Sequence, residues 1–329
     1  MTGRPPRQTK RSRSRSGRKA VSVSIIGAGR LGTALAIALN RAGHSIALIV
    51  ARHAASARRA NKLSGGQAKA ASLEQFRRTS GHHSRLLAGN SLIIIATPDD
   101  AIGSVAEDLA LLTKANPRRT MPGTPVALHT SGALSSEVLA PLRRRGASVG
   151  SAHPLVSISD PSTGADWLTR AYFSLEGDAA AVRLGRQVVQ DLGGRTFTIN
   201  AQTKPLYHAA ALMASPNMTA LVDVALEMLN RCGLPPDRSR KVLLPLIEST
   251  LANLATQTPE RALTGTFKRG DIATVRKHLE AISSSHLWDA LEAYVLLGRR
   301  SLQLSRDEAP NRTLIEQILG DALDQTYAR

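Results

Sequence analysis

The sequence has little cysteine, few aromatic residues and no long apolar run. Its one cysteine, Cys232, excludes an intramolecular disulfide and a cysteine-based zinc cluster, and we expect no metal site. Aromatic residues make up 3% of the chain, so a core must consist of Ala, Leu, Val and Ile, which favours packed helices and buried parallel strands. No apolar run approaches the ~18 residues of a membrane span, and the N-terminus lacks the apolar region of a secretory signal. We therefore expect a cytoplasmic protein with no membrane contact.

The chain does have enough length and apolar content for a globular fold. Its 329 residues, 42% of them hydrophobic, suggest about two domains. The formal net charge is +18, and eight of the positive residues lie within residues 1–20, which contain no acid. We predict that this segment is a disordered basic tail. Nucleic-acid binding through the tail is the alternative, which we disfavour because the tail has no aromatic residues to stack on bases.

Strands and helices alternate along the first 200 residues. The predicted strands are 21–26, 45–50, 92–96, 126–129, 148–152, 171–176 and 195–199, and the clearest predicted helices are 33–41, 54–63 and 178–192. This alternation predicts an α/β fold with a doubly wound, mostly parallel sheet. From residue 201 the pattern predicts helices alone, at 205–231, 237–257, 271–283, 286–306 and 311–325.

A glycine-rich motif joins the first strand to the first helix. Its residues are Gly27, Ala28, Gly29, Arg30, Leu31 and Gly32. In this position the first glycine makes a tight turn, the second lets a pyrophosphate approach the backbone, and the third lets helix and strand pack closely. The helix N-terminus adds N–H donors for the phosphates. The motif therefore predicts a Rossmann dinucleotide-binding domain at 21–200. The helical pattern after it predicts an all-α domain at 201–329, which we expect to serve substrate binding and dimerisation.

The residue after the second strand bears on the choice of dinucleotide. No acid stands there to bind a ribose 2′-hydroxyl, and Arg52 lies 20 residues past Gly32. A guanidinium fits a 2′-phosphate, so we predict NADP(H), with NAD as the alternative and ordinary surface charge as the competing explanation of Arg52. Thr97 and Pro98 follow the strand 92–96 and are predicted to border the ribose and nicotinamide. Asp99 either joins them or caps the next helix.

Five polar residues are candidates for catalysis. Ser131 and His153 follow predicted strands, where they would polarise a substrate. Lys204 and His208 are four residues apart on one helix face, which Ser215 shares. The lysine stands at the helix end that disfavours cations, so acid–base use explains it better than stability does. The alternatives are a helix cap for Ser131, a structural role for the histidines and a lysine that reaches out to solvent.

Three features of the C-terminal half leave alternatives open. The helix 205–231 is apolar almost all round, which predicts burial either inside its domain or against a second subunit. Pro216 is expected to kink this helix and to free the carbonyl of Leu212. The segment 263–271 either holds an anionic substrate group, or crosses to a partner subunit, or is a turn in which Asp271 caps a helix.

Together these residues resemble a bacterial family with an N-terminal Rossmann-like domain and a C-terminal helical domain of unknown function. The matching stretches cover most of residues 21–306 and are SIIGAGRLGTAL, IIIATPDDAI, LHTSGALSSEVLAPLR, VGSAHPL, KPLYHAAALMAS, LLPLIESTLANL and LTGTFKRGD. More remotely, the plan is similar to pyrroline-5-carboxylate reductase, prephenate dehydrogenase and the β-hydroxyacid dehydrogenases. The helical domain is similar to the C-terminal domain of 6-phosphogluconate dehydrogenase.

This resemblance implies hydride transfer at a cleft between two domains and a homodimer formed through the helical domain. Lys204 matches the proton-transferring lysine of β-hydroxyacid dehydrogenases, but His208 stands where they have asparagine. The pair His153-Pro154 is similar to a His-Pro of prephenate dehydrogenases. The family itself implies no particular substrate.

We therefore predict an NAD(P)-dependent oxidoreductase that reduces a C=O or C=N bond of a small, anionic metabolite. Lys204 or His208 is the predicted proton donor. Two alternatives come from other classes. One is a dinucleotide sensor without turnover, and the less favoured one is a nucleic-acid-associated protein that acts through its basic tail.

Overall fold

The computed structural model describes residues 20–78, 91–112, 125–305 and 310–327, so most of the predicted basic tail lies outside the described residues. The first part of the chain forms one eight-stranded sheet. Its strands are β1 (Ser22–Ile26), β2 (Ser45–Ala51), β3 (Lys69–Ser72), β4 (Ser91–Ile95), β5 (Val126–His129), β6 (Ser148–Pro154), β7 (Tyr172–Gly177) and β8 (Arg195–Thr198). Seven of them confirm predicted strands. The sequence pattern does not predict β3, because its residues KAAS include no β-branched apolar side chain.

The strand order places a crevice at the end of β1. The order is β3-β2-β1-β4-β5-β6-β7-β8, and every pair is parallel except β6 with β7. The chain forms β1, β2 and β3 on one side and then crosses to β4 on the other side of β1, so the strand order reverses between β1 and β4. Ligands of open α/β sheets bind beyond the carboxyl ends of the strands at such a switch point. The predicted doubly wound, mostly parallel sheet is confirmed.

Helices cover both faces of the sheet. They are α1 (Arg30–Arg41), α2 (Ala54–Leu63), α3 (Leu73–Arg78), α4 (Asp99–Leu112), α5 (Ala140–Arg143), α6 (Pro161–Leu168) and α7 (Ala179–Leu192). One face packs on α1, α2, α6 and α7, and the other packs on α3, α4 and α5. Consecutive residues of β4 alternate between these two cores: Leu92 and Ile94 join the first, and Ile93 and Ile95 join the second. The all-apolar sequence of β4 follows from this burial on both sides.

The chain divides into two compact units, of which the first ends at Ala211 and the second begins at Leu212. The sequence pattern predicts a boundary near residue 200. The start of α8 (Lys204–Ala214) belongs to the first unit, because the Lys204 side chain is bonded to that unit's sheet.

The second unit is helical throughout its described residues. Its helices are α9 (Pro216–Arg231), α10 (Pro236–Thr256), α11 (Pro259–Ala262), α12 (Thr266–Arg269), α13 (Ile272–Ser284), α14 (Trp288–Ser305) and α15 (Arg312–Tyr327). Its apolar core lies among α13, α14 and α15, where Val275, Leu291 and Ile315 are fully buried.

The predicted helix 205–231 is two helices rather than one. It breaks at Ser215, and Pro216 occupies the first turn of α9, so the predicted kink is confirmed. The sequence predicts a free carbonyl at Leu212, and this prediction is wrong. That carbonyl accepts a hydrogen bond from the Ser215 N–H at 3.4 Å.

The first of the two predicted alternatives for this apolar segment, burial inside its own domain, is wrong. No residue of α9 is buried, and Met213 is 63% exposed. The stretch Ala201–Arg231 is the one candidate membrane span among the described residues, with a mean hydropathy of 1.4. Polar residues, among them His208 and Ser215, divide this stretch, so it contains no uninterrupted apolar run of the ~18 residues that a membrane span needs.

Candidate functional site

The loop between β1 and α1 has the geometry that a bound diphosphate requires. Gly27 has a φ of +111°, and a Cβ added there would lie 2.4 Å from the carbonyl oxygen of Ala96. A Cβ on Gly32 would lie 1.8 Å from the oxygen of Gly27. Gly29 is the N-cap of α1, and the place of its missing Cβ is open space. The first and third glycines thus serve packing, while the second leaves room for a ligand at the N-terminus of α1.

A cavity of about 290 Å³ opens beside this loop. Its polar lining includes Arg30 from α1, Ser56 and Arg59 from α2, and Asp160 at the start of α6. Arg52, the residue predicted to select NADP(H), is exposed just beyond β2 and does not line this cavity.

The segment after β4 lies against the first glycine of the loop. A Cβ on Gly27 would lie 2.8 Å from the Thr97 nitrogen, and Pro98 follows at once. The Thr97 hydroxyl oxygen is buried without a hydrogen-bond partner among the described residues. Asp99 is the first residue of α4 and accepts a hydrogen bond from Ser131 Oγ at 2.7 Å. Asp99 therefore both begins a helix and contacts a predicted site residue.

His129 holds together the turn that follows β5. It is fully buried; its Nδ1 accepts from the Ser131 N–H at 3.2 Å, and its Nε2 donates to the Ser135 carbonyl at 3.2 Å. Burial, and to a smaller extent the positive charge of Lys204, lowers the pKa of His129 to about 4. The ring is therefore neutral at pH 7 and serves the turn.

Ser131 is also committed to this turn. Its Oγ accepts from the N–H groups of Ala133 and Leu134 and donates to Asp99. A hydroxyl has one proton and two lone pairs, so these three bonds use its whole capacity. The predicted polarising role would require Ser131 to break one of them.

Lys204 is fully buried beneath the start of α8. Its Nζ donates to Ser151 Oγ at 2.8 Å and to the Ser131 carbonyl at 3.3 Å. Burial lowers the pKa of Lys204, and the carboxylates of Glu176 and Asp99 oppose that effect. The ammonium thus ties α8 to β6 and to the turn after β5, which explains a cation at this helix end without a catalytic role.

Glu176 balances that buried charge. Ser151 Oγ donates to its carboxylate at 3.3 Å, and Ser136 donates to it from both the backbone nitrogen, at 2.8 Å, and Oγ, at 2.6 Å. Ser151 therefore bridges a buried cation and a half-buried anion. Removing Glu176 would leave the buried ammonium of Lys204 without its nearest compensating charge, which is destabilising.

Two histidines and a tyrosine adjoin this network. His153 Nδ1 lies 2.7 Å from the Tyr207 hydroxyl. Burial raises the pKa of Tyr207. Burial, together with the nearby His208 and Lys204, lowers the pKa of His153 to about 4. Both groups are neutral at pH 7. One of the two therefore donates the proton of this hydrogen bond to the other.

His208 packs edge-on to His153, with ring centroids 5.4 Å apart. Its Nδ1 is buried and has no hydrogen-bond partner among the described residues. A Cβ on Gly132 would lie 2.4 Å from that nitrogen, so this glycine is what lets the ring pack against the turn.

Ser215 and the segment 263–271 belong to the second unit. Ser215 stands between α8 and α9, and its carbonyl accepts from Thr219 Oγ1. Asp271 caps α13 by accepting from the Thr274 N–H at 3.1 Å, which confirms the helix-cap alternative for that residue.

Sequence reasoning does not single out three members of the cluster. Tyr207 is three residues from Lys204 on α8, and Ser151 is two residues before His153 on β6, so their spacing is a usable signal. Glu176 has no such signal. It joins the cluster because β7 pairs antiparallel to β6 and sets Glu176 opposite Ser151.

The residues present fit a nicotinamide dinucleotide. The open face of Gly29 meets the N-terminus of α1, and the unpaired Thr97 hydroxyl stands at the end of the neighbouring strand. Among the described residues, no group of three or more His, Cys, Asp or Glu side chains is placed to hold a metal ion.

Comparison with known proteins agrees with this architecture. A Rossmann-like domain model matches residues 6–154, and the model of a domain of unknown function, DUF2520, matches residues 171–301. Among curated proteins, none matches the sequence.

Several solved structures share the fold along nearly their whole length. A protein provisionally named an NADP oxidoreductase, from Bacteroides fragilis, is 22% identical and has a TM-score of 0.66, over 86% of this chain and 98% of that one. A Thermotoga maritima protein is 23% identical with a TM-score of 0.62, over 87% and 99%. The 1-pyrroline-5-carboxylate reductase of Streptococcus pyogenes is 15% identical with a TM-score of 0.54, over 86% and 99%. The structural similarities establish the fold, and the two family models confirm the resemblance: a Rossmann-like match at 6–154 is followed by a DUF2520 match at 171–301.

Proposed function

We propose that the protein is an NADP(H)-dependent oxidoreductase that reduces a C=O or C=N bond of a small metabolite. The observation that carries this proposal is the shared position of two groups at the carboxyl edge of the sheet. The open glycine-rich loop follows β1, and the cluster of His153, Tyr207 and His208 stands at the end of β6 and on α8. One group suits a dinucleotide, and the other suits proton chemistry beside it.

The reduced nicotinamide, when bound, supplies a hydride to the substrate carbon. The chain has to do the rest. The N–H groups at the start of α1 hold the diphosphate, and the Thr97 hydroxyl and Pro98 border the ribose and nicotinamide. The substrate oxygen or nitrogen then needs a proton to complete the reduction.

We assign that proton to His208. Its Nδ1 is enclosed against Gly132 and has no partner among the described residues, so we place the transferable proton on Nε2. We also assign the Tyr207 hydroxyl as the donor to His153 Nδ1, which leaves the His153 proton on Nε2 as a second donor to the same substrate atom. Lys204 is buried and its ammonium donates to Ser131 and Ser151, so we propose that it positions α8 and does not transfer the proton.

Turnover tests this division of roles. The measurement is NADPH oxidation with a panel of small ketones, keto acids and cyclic imines. His208→Gln is expected to lower kcat by about 10²- to 10⁴-fold, the usual contribution of general acid catalysis, and to leave NADPH affinity nearly unchanged. The Lys204→Met variant is expected to lose thermal stability instead. NADPH binding without turnover of any compound would favour a dinucleotide sensor.

We also propose that the protein is a homodimer formed through α9 and α10. The single chain leaves large apolar side chains on both helices in solvent, among them Leu221 at 42% and Leu246 at 63% exposure. Apolar surface of this extent is unusual on a monomer and marks an interaction site. A second copy of the chain is the occupant we favour, because it would bury both helices at once.

A further inference from the structure

We propose that the cavity beside the glycine-rich loop binds the ribose 2′-phosphate, and that Arg59 with Arg30 and Ser56 makes the protein select NADP(H) over NAD(H). This inference rests on the proposed function and names the residues responsible for its cofactor preference. It replaces Arg52, to which the sequence alone assigns the role.

The topology fixes which end of the dinucleotide reaches this cavity. β1 has β2 on one side and β4 on the other. The predicted catalytic cluster stands on the far side of β4, on β5 and β6, so the nicotinamide half extends in that direction from Gly29. The adenosine half must then extend towards β2 and α2, where the cavity lies.

Two helix faces build the cavity wall. Ser56 and Arg59 are three residues apart on α2, and Arg30 and Thr33 are three residues apart on α1, so each pair points to one side of its helix. Gly29 lines the same cavity. A ligand that enters over this glycine therefore meets a hydroxyl and two guanidinium groups at once.

The charges of the cavity suit a phosphate monoester. Within the part of the chain that the structure describes, neither Arg30 nor Arg59 has an ion-paired partner, and the positive end of the α1 dipole adds to their field. The one acid in the lining, Asp160, accepts from the N–H groups of Ser162 and Thr163 and so serves as the cap of α6.

The neighbouring arginines provide contrasts. Arg52 follows β2, Arg58 precedes Arg59 on α2, and both are exposed and absent from the cavity lining. Arg58 is turned by about 100° around the helix from Arg59, although the two have the same charge and similar exposure. If the 2′-phosphate were bound only by long-range attraction to positive charge, the three arginines would contribute equally to NADPH affinity. Direct contact with the phosphate would make Arg59 contribute more than the other two.

The experiment measures binding to the full chain of NADPH, NADH, adenosine 2′,5′-bisphosphate and adenosine 5′-monophosphate. Arg59→Ala is expected to weaken NADPH and the bisphosphate by about 10- to 100-fold, the range for a lost charge-assisted bond, and to change NADH and the monophosphate by less than about threefold. Arg58→Ala and Arg52→Ala are the matched controls and are expected to change all four affinities by less than about threefold. Thermal melts check that every variant is folded.

The outcomes separate this inference from the proposed function. Equal effects of Arg59→Ala and Arg58→Ala on NADPH, or a loss of preference only in Arg52→Ala, would overturn the inference and leave the proposed function standing. Equal affinity of the wild type for NADPH and NADH would overturn it in the same way. Failure of the wild type to bind either dinucleotide would overturn both.

Discussion

At the scale of single residues, hydrogen-bond partners decide which histidine is structural and which is free for chemistry. His129 uses both ring nitrogens within the turn after β5, and His153 gives one of its nitrogens to Tyr207. His208 has no hydrogen bond among the described residues. The sequence alone does not distinguish these three residues: the partners of His129 are local, but Tyr207, the partner of His153, lies 54 residues away along the chain.

The lowered pKa of His129 predicts a specific loss of stability in acid. Its pKa is about 4 in the folded protein against an ordinary 6.5, so between these values the unfolded chain binds a proton that the folded protein does not. The contribution of His129 to the free energy of unfolding is therefore complete above about pH 6.5. It declines by roughly 3 kcal/mol as the pH falls to 4. Urea unfolding of the wild type and His129→Gln across this range checks the prediction.

The variant is expected to be less stable at pH 7 but to depend less steeply on pH, because glutamine does not titrate. His153 titrates in both proteins, so it cancels from the comparison. Parallel pH profiles for the two proteins would show that His129 is not the group responsible.

The candidate residues were only partly predictable. Lys204, His153 and His208 could be found because they interrupt apolar segments at strand ends and on one helix face. The burial of Lys204 could not be predicted, because it depends on Glu176, which enters through the antiparallel β6–β7 pairing. Ser131 appears available in the sequence, but its own turn consumes its hydrogen bonds.

At the scale of elements, the β1–α1 unit separates packing from binding. Gly32→Ala places a methyl group 1.8 Å from the Gly27 oxygen, a backbone atom that cannot move aside, so we expect a loss of about 1–3 kcal/mol or failure to fold. Gly29→Ala meets no atom within 4 Å, and we expect a loss of stability of no more than about 1 kcal/mol. Thermal or urea unfolding of the two variants measures both. Equal destabilisation would contradict the assigned roles of the two glycines.

Most elements were predictable from periodicity, and the exceptions have physical causes. The strand β4 is evident because burial on both faces makes it wholly apolar. The strand β3 has no such run, and its pairing with β2 alone places it at the sheet edge. The apolar pattern continues through Ser215, so periodicity alone does not show where α8 ends and α9 begins.

At the scale of the whole molecule, the exposed apolar faces of α9 and α10 predict self-association. We expect the wild type to sediment as a dimer, and Leu221→Glu combined with Leu246→Glu to sediment as a folded monomer, because a charge on each helix would be buried unpaired in the interface. Leu111→Glu is the control, since that leucine is 62% exposed on α4 in the first unit.

A monomeric wild type at micromolar concentration would contradict the dimer. Because Ala201–Arg231 also meets the length and hydropathy criteria for a membrane span, the same samples should be floated with phospholipid vesicles. Flotation of the wild type but not of the double variant would assign these helices to a lipid surface instead.

The most direct test of the central claim is a titration of the full chain with NADPH, followed by nucleotide fluorescence, for the wild type and for Gly29→Ala. The account predicts saturable binding at one site per chain by the wild type. It predicts affinity at least about tenfold weaker in Gly29→Ala, because the added methyl group fills the space through which the diphosphate approaches the start of α1. No binding by the wild type, or equal affinity in the folded variant, would contradict a dinucleotide site at this loop.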